Sequence, residues 1–195
     1  MRLDKIENMT ADKKTIYFLH GTGGHPENFW LPNVARHAKE LGYDNVIPQF
    51  PDPDDANLVQ WLEYFEKNYS PKDNDLLIGH SAGVPNALNI LQNSSVKFSK
   101  AILVAGFIDQ LPHQGDDHPT LFKNPKWDKI KSSCDEFIFI HSDNDPWGCD
   151  HKQGEKLRSY LGGTLIVKTG EGHFGSVMFE QPYSDFPLVE YFLEQ

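Results

Sequence analysis

Little in this sequence is basic, and none of it is apolar for long. A run of about 18 apolar residues, the minimum for a membrane span, is absent, and the opening Met1-Arg2-Leu3-Asp4-Lys5 lacks the apolar stretch of a secretory signal. These two absences predict a cytoplasmic protein with no membrane partner. Cysteine is scarce too: the 2 present, Cys134 and Cys149, show neither a C-x-x-C spacing nor the density of a secreted scaffold, and read as reduced thiols with no part in chemistry. Basic residues number 18 against 28 acidic ones, a formal charge of −10, which disfavours nucleic acid or an anionic membrane surface as partner, and no nucleic-acid partner is expected. The short basic cluster Lys123 to Lys131 is interrupted by Trp127 and Asp128 and reads as solvated surface. No internal repeat, low-complexity tract or flexible linker divides the 195 residues, so one domain over 1–195 is expected.

What is present is an alternation of two periods. Short runs rich in β-branched and aromatic residues read as buried strands: Thr15 to Leu19, Asn45 to Gln49, Asp75 to Ile78, Lys100 to Ala105, Glu136 to His141 and Thr164 to Lys168. Between them apolar residues recur at helical spacing. Trp30, Leu31, Val34, Ala35, Ala38 and Leu41 end on Gly42, and Leu58, Trp61, Leu62, Phe65 and Tyr69 form a second face. Further helices are predicted over 82–92, over 150–161 with Gly162 and Gly163 closing it, and over 186–193. Strand and helix in turn imply an α/β fold: a six-stranded, mainly parallel sheet between helices in a three-layer sandwich. The one long irregular stretch, Phe107 to Lys126, is of a size to form a minimal lid over a small site but not a lid domain.

Chemistry-bearing residues gather at predicted strand ends. Asp75-Leu76-Leu77-Ile78 leads into Gly79-His80-Ser81-Ala82-Gly83 and then a helix, the strand, sharp turn and helix of a nucleophile elbow. Small flanking residues let neighbouring main chain approach a strained serine, and the helix start offers unpaired N–H groups to a developing oxyanion. Pro85 fits, because the first helical turn has no N–H partner to lose. A serine so placed needs a base, and the base an orienting carboxylate. After the fifth strand comes His141-Ser142-Asp143-Asn144-Asp145-Pro146, with Asp143 and Asp145 as candidate acids; after the sixth comes Gly170-Glu171-Gly172-His173-Phe174, with His173 as candidate base.

The first strand ends in His20-Gly21-Thr22-Gly23-Gly24. Without a Lys-Ser/Thr ending or dinucleotide spacing this loop is no phosphate cradle. It is instead placed to give a second oxyanion donor, the N–H of Thr22 or Gly23, opposite that of Ala82. His20 reads as a packing residue. His113-Gln114-Gly115-Asp116-Asp117-His118 holds metal-capable side chains, but nothing else supplies a coordination set; it reads as an exposed loop, and no metal is expected. The aromatics Phe29, Trp30, Phe107, Trp147 and Phe174 fall near strand ends, and Trp30, Phe107, Trp147 and Phe174 are the candidate walls of an acyl pocket.

Together these residues make the chain resemble the small serine hydrolase family that includes retinoblastoma-binding protein 9 and the bacterial YdeN-like proteins. The resemblance rests on His20-Gly21-Thr22-Gly23-Gly24, Trp30, Phe50-Pro51-Asp52-Pro53, the Gly79 to Gly83 elbow, Pro125-Lys126-Trp127, Asp145-Pro146 and Gly172-His173-Phe174, and spans nearly the whole chain. It implies an α/β-hydrolase core trimmed at its N-terminus, little or no lid, no cofactor, esterase-like activity on small acyl substrates, and Asp145 rather than Asp143 as the acid, since the family's acid precedes a proline. Two departures bear on this. Trp147-Gly148-Cys149 follows Asp145-Pro146 where many relatives have an apolar residue and a second proline. The Leu-x-Cys-x-Glu string associated with retinoblastoma-protein binding is absent, so that partner is not expected. The competing class is a ligand- or protein-binding module on a hydrolase scaffold, which has no need of a serine, acid and histidine in order.

Overall fold

The structure is a computed structural model that describes residues 13–115 and 117–195. The opening residues on which the absence of a leader was read lie outside the described residues, as does Asp116. Elements alternate along the chain: β1 (Thr15–Leu19), α1 (Leu31–Glu40), β2 (Asp44–Val46), α2 (Leu58–Asn68), β3 (Leu76–His80), α3 (Gly83–Asn93), β4 (Phe98–Val104), α4 (Trp127–Ser132), β5 (Cys134–Ser142), α5 (His151–Leu161), β6 (Thr164–Lys168) and α6 (Pro187–Leu193).

All six strands are parallel, in the order β2-β1-β3-β4-β5-β6; the expected mainly parallel sheet has no antiparallel member. β3 is buried along its whole length because helices cover both its faces, which is why the central strands read as continuous apolar runs. The edge strands β2 and β6 are more exposed.

This strand order fixes the site. The chain steps from β1 to β2 in one direction, then jumps back past β1 to β3 and continues the other way. Right-handed crossovers therefore put α1 on one face and α2, α3, α4 and α5 on the other. The packing agrees: α1 meets α6, while α2, α3, α4 and α5 pack in succession. Where the direction reverses, the carboxyl ends of β1 and β3 diverge and leave a crevice.

Local chemistry sets the helix starts. Asn57 caps α2, its side-chain oxygen accepting from the Val59 and Gln60 N–H at 3.0 and 3.3 Å, and Asp150 caps α5 through the Lys152 N–H at 2.9 Å. α3 has no side-chain cap; its Val84 N–H turns back to the Ser81 carbonyl at 2.9 Å. One element was missed from sequence. α4 lies in the cluster expected to be plain surface; its lysines are exposed, but Ile130 is fully buried and Trp127 stacks on Tyr160 at 4.3 Å between ring centroids. A helix carrying so few apolar residues shows no periodicity to read. Among the described residues no helix is long and apolar enough to cross a membrane.

Candidate active site

Ser81 sits between the end of β3 and the start of α3 with φ +55, a left-handed conformation that a residue with a Cβ adopts only when its surroundings impose it. They do so here. The Ser81 N–H donates to the Val104 carbonyl at 3.0 Å, and its own carbonyl accepts from the Val84 N–H at 2.9 Å. The flanking glycines answer to space rather than to φ. A Cβ on Gly83 would lie 2.1 Å from the Leu19 carbonyl oxygen, and one on Gly79 would lie 2.7 Å from the Gly83 oxygen, so either side chain would push the turn off the sheet.

Beyond β5 and β6 the two loops are fastened together residue by residue. Asp143 Oδ1 accepts the Gly170 N–H at 2.9 Å, Ser142 Oγ the Glu171 N–H at 3.0 Å, and Asn144 Oδ1 the Gly172 N–H at 2.8 Å. The next step is the chemical one: His173 Nδ1 lies 2.7 Å from Asp145 Oδ2, with the Asp145 side chain wholly shielded from solvent. A carboxylate only accepts, so Nδ1 carries the hydrogen and Nε2 is left as the basic nitrogen. Asp145 Oδ1 is occupied by the Trp147 N–H at 2.8 Å, a turn that the intervening Pro146, lacking an N–H, leaves open. Of the two candidate acids the structure thus brings Asp145 to the histidine. Asp143 is exposed, and the Gly170 N–H holds its carboxyl below the usual range.

The β1 loop narrows the choice of oxyanion donor. The Gly23 N–H donates to the Pro53 carbonyl at 2.7 Å and is therefore not free, which removes Gly23 from the expected set. The Gly21 carbonyl accepts from His20 Nδ1 at 2.9 Å and from the Gly24 N–H at 3.1 Å. Because a trans peptide sets C=O and N–H on opposite sides, this anchoring aims the Thr22 N–H the other way. Neither Thr22 nor Ala82 spends its N–H on another acceptor among the described residues. His20 is buried, accepts the Phe50 N–H at Nε2 at 3.2 Å, and packs edge-on to Trp61; it is the packing residue expected, and it also sets this peptide.

Ser81, His173, Thr22 and Gly23 open on one cavity of about 700 Å³. Of the four aromatics expected on its wall, Phe107 and Trp147 are there. Trp30 and Phe174 are not: both are fully buried, with Trp30 Nε1–H donating to the Phe174 carbonyl at 2.9 Å and Phe174 stacked on Phe186 at 5.2 Å. They make up the core beneath the His173 turn, because proximity to a strand end in sequence does not tell which side of a turn a ring takes. Segment 107–126 does wall the cavity, through Phe107, Leu111, His113, Gln114 and His118. Of the 113–118 stretch expected to be an exposed loop, His113, Gly115 and Asp117 are exposed, while Gln114 is buried and its Nε2 donates to Thr120 Oγ1 at 3.0 Å.

Sequence reasoning missed His80, although it lies inside the elbow motif. Its Nε2–H donates to the His173 carbonyl at 2.8 Å, tying the serine turn directly to the histidine turn. Burial, aided by the neighbouring His173, lowers its pKa to about 3, so the ring is neutral across the working range. The only donor atoms of the described residues close enough to share a metal are those of Asp145, Cys149 and His173, within 4.8 Å of one another. Burial pushes the Cys149 thiol well above its usual pKa, keeping it protonated, and the Asp145–His173 pair is already joined by a proton. The set suits proton transfer rather than metal binding.

Comparison with known proteins places the family and the fold. The family model described as Serine hydrolase matches residues 16–195. Serine hydrolase RBBP9 of Rattus norvegicus is 26% identical over 164 residues, covering 83% of this chain and 87% of that protein. The ydeN gene product of B. subtilis superposes with a TM-score of 0.83 at 23% identity, over 93% of this chain and 97% of its own. Est1E from Butyrivibrio proteoclasticus superposes with a TM-score of 0.65 at 14% identity, over 93% and 86%. At such identities the solved structures speak to fold alone, whereas the family match covers nearly all of the described residues. The chain belongs to the serine hydrolase family and carries the α/β-hydrolase fold.

Proposed function

We propose that the protein hydrolyses small acyl esters, or related thioester and amide bonds, through an acyl-enzyme on Ser81. The observation that carries this reading is the buried Asp145–His173 pair at 2.7 Å, whose His173 lines the same cavity as a serine held at positive φ. Ser81 Oγ attacks the carbonyl carbon while His173 Nε2 takes its proton, and Asp145 stabilises the imidazolium that forms. The Thr22 and Ala82 N–H groups receive the oxyanion, with the uncapped start of α3 behind them. His173 then returns the proton to the leaving atom, and a water repeats the sequence on the acyl-enzyme to release the acid and free Ser81. No step requires a cofactor.

The test is labelling with a fluorophosphonate probe beside turnover of p-nitrophenyl acetate. The parent is expected to be labelled and active, and Ser81→Ala to lose labelling with a fall in kcat of about 10⁴-fold or more. A folded parent silent in both assays overturns the reading.

A further inference from the structure

We propose that the loop following His173 is a subsite for an uncharged, apolar leaving group, and that this side of the cavity sets much of the substrate preference. The inference rests on the proposed function, because the leaving-group side is defined by the nitrogen that returns the proton.

Ser176 and Gln181 form an antiparallel bridge, the Ser176 N–H donating to Gln181 O at 3.0 Å and the Gln181 N–H to Ser176 O at 2.8 Å. The loop it closes presents Val177, Met178 and Phe179 at 80%, 72% and 43% exposure. Three consecutive exposed apolar side chains on a tight loop are unusual, and Val177 and Met178 are the most exposed of them. Nor is the loop slack. Ser176 Oγ accepts the Phe179 N–H and Trp147 Nε1–H, each at 3.4 Å, and Phe179 packs edge-on to Trp147 at 5.1 Å. Gln181 Oε1 accepts the His173 N–H at 2.9 Å. The hairpin base that displays the apolar tip therefore also holds the histidine.

Val177 and Met178 line the catalytic cavity. The leaving atom must come within hydrogen-bond reach of His173 Nε2, and Trp147, 6.4 Å from that ring between centroids, joins the histidine to this tip. The carbonyl oxygen is held elsewhere, by Thr22 and Ala82. A leaving group extending from the histidine thus runs onto Trp147, Met178 and Val177. Charge selects further: among the described residues lining the cavity there is no lysine or arginine, and Asp54 is the only carboxylate. A phosphate-bearing leaving group such as coenzyme A meets no lysine or arginine among the described residues lining the cavity, and a chain of formal charge −10.

Alkyl acetates test this at constant acyl group and nearly constant leaving-group acidity. For the parent, kcat/KM is expected to rise from ethyl to octyl acetate, measured below the concentration at which the ester aggregates. The double variant Val177→Ser, Met178→Gln should lower the octyl-to-ethyl ratio on the order of tenfold, the loss of about one buried apolar side chain, while the butyryl-to-acetyl ratio of p-nitrophenyl esters stays put. S-octyl thioacetate should outrun acetyl-CoA. The subsite is overturned by a ratio equal in parent and variant, by a preference seen only with aggregated ester, or by a parent dimer on gel filtration that the variant converts to monomer with the ratio unchanged. Equal rates on acetyl-CoA and S-octyl thioacetate overturn its uncharged character. A parent labelled by fluorophosphonate but flat across the alkyl series refutes the subsite alone; an unlabelled parent refutes the reading on which it rests.

Discussion

The two sides of this cavity are built on opposite plans. Behind the histidine, Ser142, Asp143, Asn144 and Asp145 each hold one residue of the 170–173 turn, and the turn is caught from the other side by His80 and Gln181. In front, the wall is made of apolar and adaptable side chains from loops, among them Leu111, Phe107 and Met178, and its tip is exposed. The proton transfer proposed for His173 needs its imidazole held closely in place, and the support behind it is redundant and polar. Recognition of an apolar group needs only surface of the right kind. Substitutions behind the histidine should therefore slow every substrate alike, whereas those in front should re-rank substrates.

The sharpest break of that contrast is Asp145→Asn. It keeps the side-chain shape but allows the amide to donate to His173, which favours the wrong tautomer. A fall in kcat of about 10⁴ is expected with little change in KM, the same for ethyl and octyl esters. Steady-state kinetics on both check it, and a substrate-dependent loss would erase the division between the two sides.

Acid should act on the buried half first. Burial holds His20, His80 and His141 below their usual pKa, so the unfolded chain binds protons on these groups that the folded chain refuses. Stability is then full above the unfolded value of 6.5 and falls as pH drops toward the folded one. With His80 at about 3, moving from pH 7 to pH 5 removes about 2 kcal/mol through that ring alone. Urea unfolding at the two pH values measures the fall, and His80→Gln should shrink it by about that amount.

How far the sequence foretold this division differs between the sides. Strands and helices were legible because buried parallel strands and amphipathic helices impose their periods on the chain; β1 and β6 fall where the pattern placed them. The turns that carry Ser81 and His173 were legible because glycine marks a tight turn. The front wall was not. Trp30 and Phe174 looked like pocket residues but face inward, and whether a ring at a strand end points to cavity or core depends on a turn conformation, such as φ +54 at Phe174, that composition does not encode. The Gly23 N–H was lost to Pro53, a partner thirty residues away in the chain. His80 left no trace beyond its place in the motif, since its acceptor is a backbone carbonyl.

Asn144 tests the fastening at intermediate strength. Its Oδ1 accepts both the Gly172 N–H at 2.8 Å and the Ser142 hydroxyl at 2.7 Å, so Asn144→Ala releases two donors next to the histidine. Freed of that tie, the 170–173 turn samples more positions, and a fall in kcat of about tenfold is expected for all esters alike. Asn144→Asp, which keeps an acceptor, should recover much of the rate, an outcome that a loss of packing alone would not give.

The smallest effect belongs to the residue that most resembles the acid in sequence. Asp143 stands two positions from Asp145 and holds the same turn, but by accepting a backbone N–H, that of Gly170 at its outer end, with both partners exposed. Water replaces its carboxylate there at little loss, and three inner fastenings persist. Asp143→Ala is therefore expected to keep kcat within about twofold of the parent, measured on the substrates used for Asp145→Asn. A loss approaching that of Asp145→Asn would move the acid to Asp143 and undo the assignment; a loss equal to that of Asn144→Ala would show that the fastening works as one unit rather than more tightly toward the histidine.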